Sequence, residues 1–145
     1  MNLWLAIGTV IVFGGVEFWL AVPTGFAFGL HPAVTCIATI VGGIVGVLVV
    51  TLPGERIGAW LARRRAGKPR PKSWERAGRT WDKYGIIGLA FVSPVLPGAP
   101  LGALIALALG ASKWRVLLWF STSLVVWSVG VTLVGVIGLA ALNPG

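Results

Sequence analysis

Glu17 is the one acidic side chain that lies outside the polar middle of this chain. It sits in Phe13-Gly14-Gly15-Val16-Glu17-Phe18-Trp19-Leu20-Ala21-Val22-Pro23, and no lysine or arginine precedes Arg56. A charge in hydrocarbon is costly, so an ionisable group kept there points to a working role, either binding a cation or taking and releasing a proton as cargo passes. The plainer reading is a carboxylic acid that caps broken backbone.

Two proline-interrupted segments surround the chemistry. Glu17 is followed by Trp19 and by Pro23-Thr24-Gly25, and a second segment carries Ser93, Pro94, Pro97, Gly98, Pro100 and Gly102. Proline removes a backbone donor and frees a carbonyl one turn back, and helix ends exposed in this way carry partial charges, negative at the C-terminal end and positive at the N-terminal end. Thr24 and Ser93 add hydroxyl donors, and Trp19, Phe18, Phe26 and Phe28 add rings that tolerate a cation. The expected substrate or proton site is therefore Glu17, Trp19, Pro23, Thr24, Ser93, Pro94, Pro97, Gly98 and Gly102. Lys113 and Arg115 are candidates for a lipid headgroup, with a topology anchor as the equal alternative. His31 before Pro32 reads as a loop residue and the lone Cys36 as a small buried hydrophobe.

The inventory speaks against an enzyme. Asp82 is the one aspartate and His31 the one histidine, no Gly-x-Ser-x-Gly or phosphate loop occurs, and no carboxylate pair stands inside an apolar stretch. No cofactor and no metal site is expected.

Composition sets the class of the elements that must position these residues. Hydrophobic residues make up 57% of the chain and charged ones 11%, against about 25% charged in soluble domains. The expectation is an all-α integral membrane protein forming one membrane domain over 1–145. Apolar stretches at 3–30, 33–52, 84–111 and 116–142 are each long enough to span about 30 Å. Between them, 54–83 holds ten basic residues against three acidic ones. The positive-inside rule makes that loop cytoplasmic, next to anionic lipid, and that is a cheaper explanation than nucleic acid. Ile57, Trp60 and Leu61, then Trp74 and Trp81 behind a Ser73 N-cap, predict short amphipathic helices at the headgroup level.

The stretches differ in kind. Those at 33–52 and 116–142 lack internal proline and read as transmembrane helices, whereas 3–30 and 84–111 are broken and read as re-entrant hairpins. Irregular backbone at membrane depth survives only when protein or water covers it. The predicted architecture is two inverted halves, each a re-entrant hairpin plus a transmembrane helix, joined by the basic loop, with a site where the interruptions meet. Ala27-Phe28-Gly29 and Ala108-Leu109-Gly110 echo each other. Four kinked spanning helices are the alternative. Gly42 and Gly46, and Gly102, Ala106 and Gly110, mark close helix contacts, within one chain by default and between protomers otherwise.

On these segments the chain resembles the small multidrug export family, a relative of the DedA superfamily. The family's first motif, roughly Glu-Leu-Arg-Gly-Ala-Ile-Pro, is matched by Glu17-Phe18-Trp19-Leu20-Ala21-Val22-Pro23 in its glutamate, alanine and proline, with Trp19 where the arginine stands. The second is matched by Tyr84-Gly85 and by Pro94-Val95-Leu96-Pro97-Gly98-Ala99-Pro100-Leu101-Gly102 with the Ala103-Leu104-Ile105-Ala106 run. The resemblance implies facing re-entrant hairpins and export of small molecules, and in the wider superfamily movement of lipid carriers such as undecaprenyl phosphate. Residues and resemblance together predict a proton-coupled transporter of an amphipathic or lipidic substrate in a cell membrane, of the bacterial inner-membrane kind. The alternatives are a polyprenyl-phosphate or phospholipid translocase, and a non-transporting accessory subunit. Expected partners are anionic lipids and the substrate, with room for a homodimer.

Overall fold

Glycines decide how closely the first helices lie. The computed structural model describes residues 2–69, 72–95 and 98–143, and the described residues form helices and no strand. Helix α1 (Leu3–Val16) packs on α3 (Pro32–Thr51) with no side chain between the backbones at two levels. A Cβ on Gly42 would strike the carbonyl of Ile11, and one on Gly15 would come 3.1 Å from the Gly42 carbonyl oxygen, with Gly46 against Gly15 a turn further on. Ile11 with Gly42 and Gly15 with Gly46 advance in the same direction, so α1 and α3 run parallel. The Gly42 and Gly46 face is thus used within the chain.

Parallel neighbours require a reversal between them, and α2 (Phe18–Ala27) supplies it. At Glu17 the backbone leaves the helix (φ −134°, ψ 86°); its N–H still bonds the Phe13 carbonyl at 2.7 Å and its carbonyl accepts the Leu20 N–H at 3.0 Å. Ala21 and Leu30 then share a buried cluster with Ala6, Val10 and Ala38. Helices α1 and α2, at 14 and 10 residues, rise only about 21 Å and about 15 Å at about 1.5 Å per residue, too short to cross hydrocarbon alone.

The rest of the chain is also helical. Helix α4 (Gly54–Arg64) follows α3 directly, with Arg64 stacked on Trp60 at 4.6 Å, and α5 (Lys72–Val92) breaks at Gly85 (φ 67°, ψ −156°) into a charged part and an apolar part. Helix α6 (Ala99–Ala108) and α7 (Lys113–Leu142) complete the chain. The caps Glu17 and Gly98, the first residues Phe18 and Ala99, and the last residues Ala27 and Ala108 of α2 and α6 correspond at one constant spacing, and the same spacing carries Pro32 of α3 onto Lys113 of α7. The helix ends are built alike. Leu30 N–H bonds the Gly25 carbonyl and Ala111 N–H bonds the Ala106 carbonyl, both at 3.0 Å. Between them Gly29 (φ 69°) and Gly110 (φ 95°) take the left-handed turn that glycine permits at a helix end. The short echo in the sequence is this turn.

The long helices bring the halves together. Gly43 of α3 lies against Leu124 of α7, Phe26 at the end of α2 lies against Gly135 far along α7, and Leu107 at the end of α6 lies against Gly54 beyond the end of α3. Helices α3 and α7 are therefore antiparallel, with the α2–α3 turn at one end of the molecule and the α6–α7 turn, with α4, at the other. At 20 and 30 residues both are long and apolar enough to cross a membrane. The main buried cluster joins Phe18, Val47, Leu89, Ile105, Phe120 and Leu124, while Trp4, Ile37, Val49, Leu118 and Ile137 point outward, the pattern expected when lipid is the solvent. Pro97 and the side chains of Ile57, Leu61, Ser73 and Trp74 lie outside the described residues.

Candidate functional site at the helix breaks

The break before α6 starts from proline chemistry. Pro94 has no N–H, so the Ala90 carbonyl, one turn earlier in α5, loses its helical donor. Val95 N–H turns back to Val92 at 3.0 Å and leaves the Phe91 carbonyl free as well. Side chains from other helices take these acceptors. Ser123 Oγ donates to the Ala90 carbonyl at 2.7 Å and Trp127 Nε1 donates to the Phe91 carbonyl at 2.9 Å, both from α7. Trp19 Nε1 donates to the carbonyl of Pro94 itself at 2.7 Å. That bond joins the start of α2 to the turn before α6.

Aromatic rings close the same junction. Trp19 stands edge-on to Trp127 with centroids 5.9 Å apart and edge-on to Phe18 at 5.8 Å. Phe18 is buried in the main cluster, while Trp19 keeps about two-fifths of its surface exposed. Glu17, two residues before Trp19, is exposed. Among the described residues no hydrogen bond or ion pair engages its carboxylate.

The expected site residues divide into those at this junction and those away from it. Trp19 and Pro94 meet there, Glu17 stands two residues before Trp19, and Gly98 (φ 84°) begins α6, its N–H bonding the Ser93 carbonyl at 2.7 Å. Ser93 itself is fully buried and its hydroxyl is committed to the Leu89 carbonyl at 2.6 Å, against the expectation that it faces a substrate. Gly102 is buried because Ser93 and Phe120 occupy the space a side chain would need, so it serves the packing of α6. Pro23 and Thr24 lie within α2, Pro23 exposed and Thr24 half-buried. Phe26 and Phe28 are at the far end of α2, Phe26 against Gly135, and do not line a pocket with Glu17.

The two breaks are tied to each other by one hydrogen bond and flanked by two long apolar helices. The model of the family described as "Putative small multi-drug export protein" matches residues 17–129. The chain belongs to that family. The match begins at Glu17, takes in both breaks and reaches Val129 in α7. Neither a curated protein nor a solved structure gives a match to the chain. Family and apolar helices together make it a membrane protein.

Lys113 and Arg115 of this exporter-family chain sit apart from the breaks, at the start of α7. Arg115 lines a cavity of about 390 Å³ with Trp81, Gly85, Ile86, Gly110, Ala111 and Ser112. Two participants escape a reading of the sequence, Ser123 and Trp127. Their signal is present: Pro94 implies unpaired carbonyls one turn earlier, and a tryptophan or serine inside an apolar helix must find an acceptor when buried. What the sequence cannot supply is the register that puts α7 beside α5.

Proposed function

We propose that this protein is a small membrane carrier for amphipathic, cationic molecules, coupled to protons through Glu17. The observation that carries the reading is the Trp19–Pro94 hydrogen bond of 2.7 Å, which ties two interrupted segments together beside a carboxylate that no other described side chain neutralises. In this reading the two halves lie inverted in the bilayer, their hairpins re-entrant from opposite faces, with the basic end of the molecule cytoplasmic. The one-to-one spacing of α2 with α6 and the antiparallel course of α3 and α7 support that arrangement.

An exposed carboxylate at this depth cannot be left to lipid. Cargo, or a second copy of the chain, would cover it, and a homodimer gives a chain of 145 residues enough wall to enclose a path. The half-exposed ring of Trp19 offers a flat face for an organic cation. Proton-driven efflux of a cationic dye from cells or proteoliposomes tests the assignment. Glu17→Gln is expected to abolish coupled efflux while the protein still inserts and purifies; undiminished efflux removes Glu17 from the mechanism.

A second reading, movement of a lipid phosphate, is favoured by the cavity at Arg115, which would meet headgroups at the cytoplasmic surface. It predicts headgroup-dependent movement in liposomes that Arg115→Ala impairs.

A further inference from the structure

Seven hydroxyl side chains are buried among the described residues: Thr35, Thr39, Thr51, Ser93, Ser123, Ser128 and Thr132. Four of them find a carbonyl. Thr39 bonds Thr35, Thr51 bonds Val47 and Ser93 bonds Leu89, each one turn back in its own helix, and Ser123 bonds Ala90. Thr35 Oγ1, Ser128 Oγ and Thr132 Oγ1 have no partner. Buried hydroxyls are ordinarily paired, and each exception asks for an explanation.

The three exceptions lie toward the same end of the α3–α7 pair. From the contact of Gly43 with Leu124, one turn back along α3 and one turn forward along the antiparallel α7 bring Thr39 level with Ser128, and another turn brings Thr35 level with Thr132. This is the end of the α3–α7 seam nearest the α2–α3 turn, where Gly25 lets the Thr35 side chain reach the backbone of α2. The other end of the same seam has a different character. At the positions that correspond under the repeat, Thr35 and Thr39 become Val116 and Phe120, and Ser128 becomes Val47, all fully buried and apolar. The one hydroxyl there, Thr51, answers Thr132 and is bonded to Val47 at 2.5 Å. A doubled frame thus carries a polar lining at one end only.

We propose that water occupies the Thr35–Ser128–Thr132 seam as a hydrated half-channel, open toward the face that carries the α2–α3 turn and leading to the hairpin tips. Thr35 and Ser128 are 0% exposed and Thr132 is 7% exposed, so the mouth is at Thr132. Inward, the Thr39 carbonyl lies against Gly14 in the last turn of α1, just before Glu17, and the Trp127 ring, one turn of α7 before Val131, meets Trp19. Water suits a site whose only offerings are hydroxyls, each able to donate and accept, with no charge to hold an ion. The use of the channel, delivery of protons to Glu17 from one side, rests on the carrier reading above; its existence does not.

Cysteine accessibility in the full chain, in a Cys36→Ser background reconstituted into liposomes, tests it with a membrane-impermeant cationic thiosulfonate. Because thiolate reactivity needs water, Ser128→Cys and Thr132→Cys are expected to react about tenfold faster than Val47→Cys and Val116→Cys, and from the α2–α3 face only. Equal rates at both ends of the seam, or no reaction at any of the four, overturn the proposal. Hydrogen exchange on the unsubstituted chain in nanodiscs needs no folded variant: amides over 128–136 are expected to exchange faster than those over 116–124, and equal protection overturns the proposal. The two readings fail separately. Fast labelling with normal efflux in Glu17→Gln removes Glu17 from the mechanism and leaves the channel, whereas a dry seam with efflux lost in Glu17→Gln sinks the channel alone.

Discussion

Replacing Trp19 by phenylalanine keeps an aromatic ring against Trp127 and removes one hydrogen-bond donor. The acceptor it abandons, the Pro94 carbonyl, belongs to a buried residue in a turn. Leaving a buried carbonyl unpaired costs about 1–3 kcal/mol, so the population with the tips joined should fall by about 5-fold to about 150-fold relative to the separated state. The size of the effect follows from where the bond lies. Trp127→Phe also frees a carbonyl, that of Phe91, but its bond runs within the second half, so it should cost comparable stability without parting the two tips. A disulfide trap separates the cases. Leu20 and Val95 flank the bonded pair and are exposed; in a Cys36→Ser background, Leu20→Cys with Val95→Cys should be bridged by a short flexible bis-thiosulfonate, more slowly by at least about 5-fold when Trp19→Phe is added, and little changed by Trp127→Phe. Dye efflux should follow the same order. If Trp19→Phe leaves both cross-linking and efflux at wild-type values, the tip-to-tip bond does not organise the site.

Two further perturbations probe the frame. Gly42→Ala places a methyl group on the backbone of Ile11, which unlike a side chain cannot swing aside; overpacking of this kind costs about 1–3 kcal/mol, to be read as a lower melting temperature in detergent and a weakened α1–α3 contact. Gly85→Ala meets no neighbouring atom, yet its φ of 67° with ψ of −156° is a conformation essentially reserved for glycine. The cost is about 1–3 kcal/mol of backbone strain, visible as a stability loss that Ala substitution at the open, helical Gly78 does not reproduce.

The fold is legible wherever the sequence carries a covalent constraint. Pro94 and the glycines at positions 29 and 110 mark a break and two turns, so the corresponding ends of α2 and α6 can be anticipated, whereas Pro23, expected to interrupt the first stretch, lies inside α2 and the break falls at Glu17. The long helices α3 and α7 follow from uninterrupted apolar length. Side-chain direction is not legible. Ser93, expected to face a substrate, points back to Leu89, whose carbonyl already accepts the Ser93 N–H and takes the hydroxyl as a second donor, the local bond open to a buried serine in a helix. Phe26 and Phe28 stand close to Glu17 in sequence, yet a ten-residue helix carries them away from it. Trp19, judged by the arginine it replaces, does a different job: it supplies a neutral N–H to a carbonyl rather than a cation to an anion.

That exchange narrows what the junction can hold. An arginine at position 19 would sit two residues from Glu17 and could neutralise it, leaving a balanced pair that tolerates anionic headgroups. With tryptophan there, the N–H is spent on Pro94 and the carboxylate stands without a basic partner among the described residues, so the local balance is negative or, with a proton bound, neutral. An anionic cargo gains nothing from such a site, and a cation or a proton does. Trp19→Arg should therefore cost twice: the tip-to-tip bond loses its geometry, and selectivity moves away from cationic dyes. Retained preference for cations in Trp19→Arg would mean that Glu17 does not set the charge of the cargo.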